Sequence, residues 1–118
     1  MKRKLPPLLH VTDEGRRVYK FYAIINKRKM TEIHIDPHYE DDHGSYMTDE
    51  IIYNFAFELE KKERWEPEER DGEWEYYSAY PLFLDDWRAY EMPWCLKDNA
   101  NFLGVISCYR RSKYDKKH

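Results

Sequence analysis

Residues 17–36 read RVYKFYAIINKRKMTEIHID and residues 48–63 read TDEIIYNFAFELEKKE, and together they set the fold class. The first stretch has two runs rich in β-branched and aromatic residues, Arg17 to Ile25 and Met30 to Asp36, around the polar segment Asn26 to Lys29. Such residues favour strands, and alternation of polar and apolar side chains is typical of a strand with one buried face. The stretch therefore predicts an N-terminal β-hairpin.

One main helix is predicted over about residues 48–63. Thr48 is a favourable N-cap, and the negative charges of Asp49 and Glu50 in the first turn complement the helix dipole. Apolar side chains then recur at steps of three and four residues, which places them on one face of the helix. This apolar stripe consists of Ile51, Ile52, Phe55 and Leu59.

Three more strands are predicted after the helix. They cover Glu73 to Tyr80, Trp87 to Leu96 and Phe102 to Arg110. Strands before and after a single helix indicate an α+β fold, with the helix packed on a mainly antiparallel sheet of four to five strands. We divide the chain into an irregular basic arm (1–15), one α+β domain (16–111) and a basic tail (112–118).

Charge is unevenly distributed along the 118 residues. Residues 1–30 carry +7, residues 31–91 carry −14 and residues 92–118 carry +4, for a net charge of −3. Because the local field governs attraction of phosphate groups, two basic ends that meet in space would form a phosphate-binding patch on a weakly acidic chain.

Targeting signals and membrane spans are not expected. No apolar run approaches the roughly 18 residues of a membrane span, and the short apolar stretch Leu5 to Leu9 is interrupted by two prolines. Cys95 and Cys108 provide no disulfide framework or zinc spacing. We expect a cytoplasmic protein with no membrane partner.

A histidine-rich segment lies between the hairpin and the helix. Its imidazoles suit proton transfer near neutral pH, so His38 and His43 are candidate catalytic residues. No metal is expected, but an alternative is a metal site, since histidine and carboxylate ligands bind zinc, iron or manganese. The alternative ligands are His34, Asp36, His38 and His43. A third interpretation is a solvated polar loop without chemistry.

The later strands carry a second set of candidates. Arginine can hold a phosphate through two hydrogen bonds, and tyrosine can donate one, so Arg88, Tyr109 and Arg110 are further candidate catalytic residues. The residues predicted to bind the substrate are Trp87, Arg111 and Lys113. The alternative is that these side chains pair with acidic neighbours or are simply solvated.

The order of these features resembles the RelE/ParE-like group of small toxin ribonucleases, which is linked to barnase, EndoU and the tRNase colicins. The resemblance covers about residues 31–113. It rests on His38-x4-His43, Met47 to Ile52, Trp87-Arg88-Ala89-Tyr90 and Leu103 to Arg111.

The resemblance implies a helix packed on a four-stranded antiparallel sheet and RNA cleavage without a metal ion or other cofactor. It places His38 and His43 at the histidine loop of the group, and Arg88, Tyr109 and Arg110 at its later-strand positions. The acidic middle of this chain departs from the strongly basic character of such toxins.

Two functional hypotheses follow. In the first, the chain is a small toxin-like endoribonuclease that uses metal-independent acid–base catalysis, with RNA as its substrate and an antitoxin or target protein as a partner. In the second, it is a non-catalytic protein-interaction module, such as a phage- or plasmid-type inhibitor or accessory protein. The acidic middle would then bind a basic partner, with exposed aromatic side chains as anchors.

Overall fold

The predicted hairpin is present in the computed structural model, which describes residues 2–116. Strands β2 (Arg17–Ile25) and β3 (Arg28–Ile35) pair antiparallel. Asn26 and Lys27 form the tight turn with φ of 52° and 65°, as a two-residue hairpin turn of the primed type requires. The arm, predicted as irregular, contains the edge strand β1 (Leu8–Val11), which pairs with β2. Residue 1 of the predicted arm and residues 117 and 118 of the predicted tail lie outside the described residues.

The main helix begins where the sequence predicts it. Helix α2 (Asp49–Glu58) follows a short helix α1 (Tyr39–His43) and continues as a 3-10 turn over Leu59–Lys61. The Thr48 hydroxyl caps α2 by accepting a hydrogen bond from the backbone N–H of Ile51 at 3.2 Å. No helix within residues 2–116 has the length and apolar character needed to cross a membrane.

The second half of the chain forms the remaining strands. They are β4 (Glu69–Asp71), β5 (Trp74–Phe83), β6 (Ala89–Lys97), β7 (Phe102–Val105) and β8 (Tyr109–Arg110), followed by a 3-10 turn over Ser112–Tyr114. The single strand predicted over Phe102 to Arg110 is therefore two strands, and both pair with β6.

All eight strands belong to one sheet with the order β1-β2-β3-β7-β6-β5-β4. Strand β8 lies outside this order and pairs with β6 at Tyr90 and Glu91, on the N-terminal side of the residues that pair with β7. Every pairing is antiparallel except that of β3 with β7. The α+β class, the N-terminal hairpin and the single main helix are confirmed, and the sheet is larger than the four to five strands predicted. The additional strands β1, β4 and β8 have only two to four residues, too few for alternation to reveal them.

The hydrophobic core lies between α2 and one face of the sheet. Phe55 of α2 packs on Tyr90 of β6 with ring centroids 5.6 Å apart, and Tyr77 of β5 stacks on Trp94 of β6 at 4.1 Å. Burial of each large apolar side chain contributes roughly 1.5–3 kcal/mol. We call this face, which carries Tyr77 and Trp94, the helix-covered face.

The two basic ends of the chain contact different elements. The backbone N–H of Arg3 donates to the Asn54 side chain of α2 at 2.6 Å, and its guanidinium lies 3.8 Å from the ring centroid of Phe57. The C-terminal 3-10 turn instead contacts β6. The N-terminal arm is therefore held along the helix.

Gly104 of β7 occupies a position where a side chain does not fit. A Cβ atom there would lie 2.6 Å from Sγ of Cys95, which is only 7% exposed. We expect Gly104→Ala to lower the free energy of unfolding by about 1–3 kcal/mol, as overpacking does elsewhere. Chemical denaturation of the variant would measure this loss.

The double variant Cys95→Ala/Gly104→Ala provides the control, because removal of Sγ makes room for the added methyl group. It should recover part of the lost stability. Equal stability of Gly104→Ala and the parent chain would show that the contact is relaxed at no cost.

Candidate active site

Three of the predicted site residues come together at the N-terminal end of β6. His43 ends α1, and its Nδ1 is hydrogen-bonded to the hydroxyl of Tyr46 at 2.7 Å. The Tyr46 oxygen also accepts the backbone N–H of Arg110 at 3.2 Å. The ring of Tyr109 lies 5.5 Å from that of His43, centroid to centroid. The structure therefore connects the histidine segment with the last strand.

The local fold explains this position of His43. The segment predicted as a loop contains one short helix, α1, whose start is stabilised by the Asp36 carboxylate accepting the backbone N–H of His38 at 2.9 Å. Tyr39 is buried and donates its hydroxyl to Asp49 at 2.7 Å. Because Tyr39 anchors α1 to α2, the far end of α1 is held beside β8.

A buried carboxylate that sequence reasoning missed completes this cluster. Glu91 of β6 is 8% exposed and lies directly opposite Tyr109 in the β6–β8 pairing. Its Oε2 accepts a hydrogen bond from the Ser78 hydroxyl at 2.5 Å, and its Oε1 lies 2.8 Å from Nη1 of Arg111. The only sequence signal for Glu91 was a charged residue inside an apolar strand, WRAYEMPWCL.

The Oε1 atom of Glu91 is held by an ion pair with Arg111. It is buried, and its contact with Arg111 has the length of an ion pair but not the alignment of a hydrogen bond. A buried carboxylate that is paired with Arg111 and faces Tyr109 is therefore a candidate for a functional role.

Aromatic rings surround the guanidinium of Arg111. It lies 5.7 Å from the ring centroid of Tyr80 and 5.4 Å from that of Tyr114. The ammonium group of Lys113 lies 5.1 Å from the Tyr114 ring. Of the residues predicted to bind the substrate, Arg111 and Lys113 thus lie beside this cluster. We define His43, Tyr46, Glu91, Tyr109 and Arg111 as the active-site cluster.

The ionisation of Tyr109 is shifted by its surroundings. Burial raises the pKa of Tyr109, and the negative charge of Glu91 raises the pKa further. Tyr109 thus stays protonated at neutral pH and can donate a hydrogen bond.

Arg110 is positioned differently from the prediction. Its guanidinium donates to both oxygens of Asp115, at 2.8 and 2.9 Å, and lies 5.4 Å from the Tyr90 ring centroid. The hydrogen bonds from Arg110 hold the pKa of Asp115 at about 2, so both partners are charged near neutral pH. Arg110 therefore contributes its backbone to the active-site cluster, while its side chain fixes the C-terminal segment.

The other predicted residues lie outside this cluster. His38 has a side chain 74% exposed, and its nearest ionic partner is Asp41, with Nδ1 3.1 Å from Oδ2. Arg88 is exposed and paired with Asp86 at 3.2 Å. Trp87 is 40% exposed and packs against Phe83 and the ammonium group of Lys116.

The four alternative metal ligands also do not converge. His34 stacks on Phe102 and its Nε2 lies 3.1 Å from Glu32, while Asp36 lies near Arg16 and the start of α1. Among residues 2–116, no three His, Cys, Asp or Glu side chains form a group that could hold a metal ion.

Comparison of the chain with protein-family models, curated proteins and solved structures finds no match. The resemblance to the toxin ribonucleases therefore stays a prediction.

Proposed function

We propose that the chain is a small endoribonuclease that cleaves RNA by acid–base catalysis at the active-site cluster. The observation that carries the proposal is the buried carboxylate of Glu91, which lies 2.8 Å from Arg111 and opposite Tyr109, whose ring lies 5.5 Å from that of His43. A base, an acid and a cation for phosphate are the groups that this reaction needs. Relative to the residues predicted from sequence, Glu91 and Arg111 take the places of His38 and Arg88.

The chemistry follows from these groups. Glu91 accepts the proton of the ribose 2′-hydroxyl, and the 2′-oxygen forms a bond with phosphorus. The bond between phosphorus and the 5′-oxygen breaks, and the imidazolium of His43 protonates the departing oxygen. The products are a 2′,3′-cyclic phosphate and a 5′-hydroxyl, so no water, metal or cofactor is consumed in this step.

The hydrogen bond with Tyr46 determines which ring nitrogen of His43 takes part in proton transfer. Because Tyr46 engages Nδ1, proton transfer uses the other ring nitrogen, Nε2. Arg111 stabilises the negative charge of the five-coordinate phosphorus, and the hydroxyl of Tyr109 donates to a phosphate oxygen. When Arg111 binds the phosphate, its ion pair with Glu91 becomes weaker.

One acidic segment, residues 66–73, lies away from the active-site cluster, whereas Glu40, Asp41 and Asp42 of α1 directly precede His43 in the chain. Residues 66–73 lie around β4, which pairs with β5 at Trp74 and Tyr76. Arg111 contacts Tyr80, six residues further along β5, so about 20 Å separates the two ends at roughly 3.3 Å per residue. This exceeds the Debye length of about 8 Å at physiological salt, so repulsion between residues 66–73 and a phosphate at the cluster is strongly screened.

Incubation of the chain with single-stranded RNA in EDTA tests the proposal. We expect cleavage that leaves a 2′,3′-cyclic phosphate, and no cleavage of DNA of the same sequence, because DNA lacks the attacking hydroxyl. Mass spectrometry of the products identifies the termini. RNA that stays intact over a range of sequences, or cleavage that EDTA abolishes, contradicts the proposal.

A second candidate function is favoured by one observation. All three residues of the edge strand β4, Glu69–Asp71, are exposed, and the acidic residues around them form a negatively charged edge of the sheet. Such an edge suits a basic protein partner. Intact RNA in the experiment above would favour this non-catalytic, protein-binding role.

A further inference from the structure

The face of the sheet opposite α2 carries its own set of aromatic side chains. Side chains directly opposite each other in paired strands share a face, and alternate residues along a strand do too. Trp74 lies opposite Lys97, Tyr76 opposite Cys95, and Gly104 opposite both Cys95 and His34. The helix-covered face uses the alternate residues, such as Tyr77 and Trp94. We call this second face the open face, because the main helix α2 packs on the other face.

Three rings form a continuous row on the open face. His34 of β3 stacks on Phe102 of β7 with centroids 3.9 Å apart and an angle of 14°. Trp74 of β5 meets Phe102 edge to face at 6.1 Å and 69°. All three residues are half-buried, so each ring keeps part of its surface in solvent. The row crosses β3, β7, β6 and β5.

Gly104 lies at the centre of this face and has no side chain. The Sγ atom of the neighbouring Cys95 fills the space that a Cβ at position 104 would need. No side chain from position 104 therefore stands between the ring of His34 and that of Tyr76. Partly exposed aromatic rings are the kind of side chain on which nucleic acid bases stack.

Positive charges lie beside the row. The ammonium group of Lys97 is 5.5 Å from the ring centroid of Trp74 and also pairs with Glu73 at 3.1 Å. Lys20 of β2 lies opposite Glu32, and Arg16 pairs with Asp36. The face thus offers cations to a phosphate backbone at both ends of the aromatic row, although each has an acidic neighbour.

The open face continues into the active-site cluster. Glu91 and Lys97 alternate with the helix-facing residues of β6 and so share the open face, about 20 Å apart along the strand. We infer that the open face binds single-stranded RNA, with bases stacked on Trp74 and Phe102 while a phosphate several nucleotides away reaches Arg111. This inference rests on the proposed function and names its substrate class.

The test measures binding separately from cleavage. Anisotropy of a labelled single-stranded RNA of 12 nucleotides is followed in EDTA with the His43→Gln chain, which keeps the open face unchanged. In this background, Trp74→Leu and Phe102→Leu should each weaken binding roughly tenfold, because leucine keeps apolar bulk but removes the stacking ring. Trp74→Phe and Phe102→Tyr are the matched controls and should bind nearly as tightly as their parent. An RNA duplex of the same sequence should bind weakly, because its bases are already stacked.

The outcomes separate this inference from the proposed function. Full-affinity binding by both leucine variants, with unchanged unfolding midpoints, overturns the open face as the binding surface, even if His43→Gln abolishes cleavage. Loss of binding in the leucine variants together with normal cleavage by the His43→Gln chain supports the surface and contradicts the proposed chemistry. Tighter binding of single-stranded DNA than of RNA would overturn the assignment of RNA as the ligand.

Discussion

Replacement of His43 by glutamine is expected to lower the rate of RNA cleavage about a hundredfold or more, the usual contribution of a positioned acid or base. Replacement of His38 by glutamine is expected to leave the rate within about twofold. The reason is that His43 is hydrogen-bonded to Tyr46 inside the cluster, whereas the imidazole of His38 is exposed and pairs with Asp41 outside it. Initial rates on one RNA substrate at neutral pH, with the unfolding midpoint of each variant, provide the measurement.

Glu75 provides a matched control for Glu91 of the active-site cluster. Glu91 and Glu75 have side chains that are 11% and 14% exposed, and each is paired with an arginine, at 2.8 and 2.7 Å respectively. Glu91→Gln removes the proton acceptor and should reduce cleavage as strongly as His43→Gln. Glu75→Gln disturbs a similar ion pair at the other end of β5 and should leave cleavage nearly unchanged. Equal rates for His38→Gln and His43→Gln, or equal losses for the two glutamate variants, would contradict the assigned roles.

Replacement of Asp49 by alanine is expected to lower the free energy of unfolding by about 3–5 kcal/mol, the usual cost of removing one partner of a buried ion pair. Asp49 of α2 is 9% exposed and binds two other elements, β2 and α1. Its carboxylate accepts from Nε and Nη2 of Arg17 at 2.7 and 3.0 Å, from Tyr19 at 2.6 Å and from Tyr39 at 2.7 Å. Without the carboxylate, the buried hydroxyl groups of Tyr19 and Tyr39 lose their acceptor, and the guanidinium of Arg17 keeps only Glu40.

Two controls define this effect. Asp49→Asn keeps one acceptor oxygen and should lose less stability, and Asp41→Ala removes a carboxylate that is 70% exposed and should lose almost none. Urea denaturation of the three variants measures the losses. A loss below about 1 kcal/mol in Asp49→Ala would show that the interior readjusts around the missing carboxylate.

The same carboxylate gives stability a defined dependence on pH. Burial opposes ionisation of Asp49, but the hydrogen bonds from Arg17, Tyr19 and Tyr39 outweigh it and hold the pKa of Asp49 below its usual value. A lowered folded-state pKa means that the contribution is complete above the usual aspartate pKa of about 3.9 and disappears as the pH falls further. The difference in stability between the parent chain and Asp49→Asn should therefore shrink below about pH 4.

The elements with strong local patterns were predictable from sequence. The hairpin has alternation in both strands, and α2 has a Thr48 cap, an acidic first turn and an apolar stripe. These signals depend on neighbours within about four residues, so they need no knowledge of the rest of the chain. The strands of two to four residues carry no such periodicity. They form because a longer neighbouring strand supplies the hydrogen bonds.

The candidate site was only partly predictable, and the two histidines show why. His38 immediately precedes α1 and His43 is its last residue, so at 3.6 residues per turn their side chains leave the helix about 140° apart. One short helix thus cannot direct both toward the same place. Glu91 was missed because a single charged residue in a strand gives no indication of what lies across from it.

Local sequence patterns account for the α+β class, the hairpin, the capped helix and the residue types available for chemistry. Three other features depend on long-range strand pairing. His43 rather than His38 lies in the cluster, Glu91 lies beside it, and the row from Trp74 to His34 is partly exposed. Strand β7 returns to pair with β3 across nearly seventy residues of chain, and β8 then lies against β6. Packing of α2 on only one side of that sheet is what leaves the other side open. These contacts join residues far apart in the chain, and their energies depend on the whole fold rather than on any local run of residues.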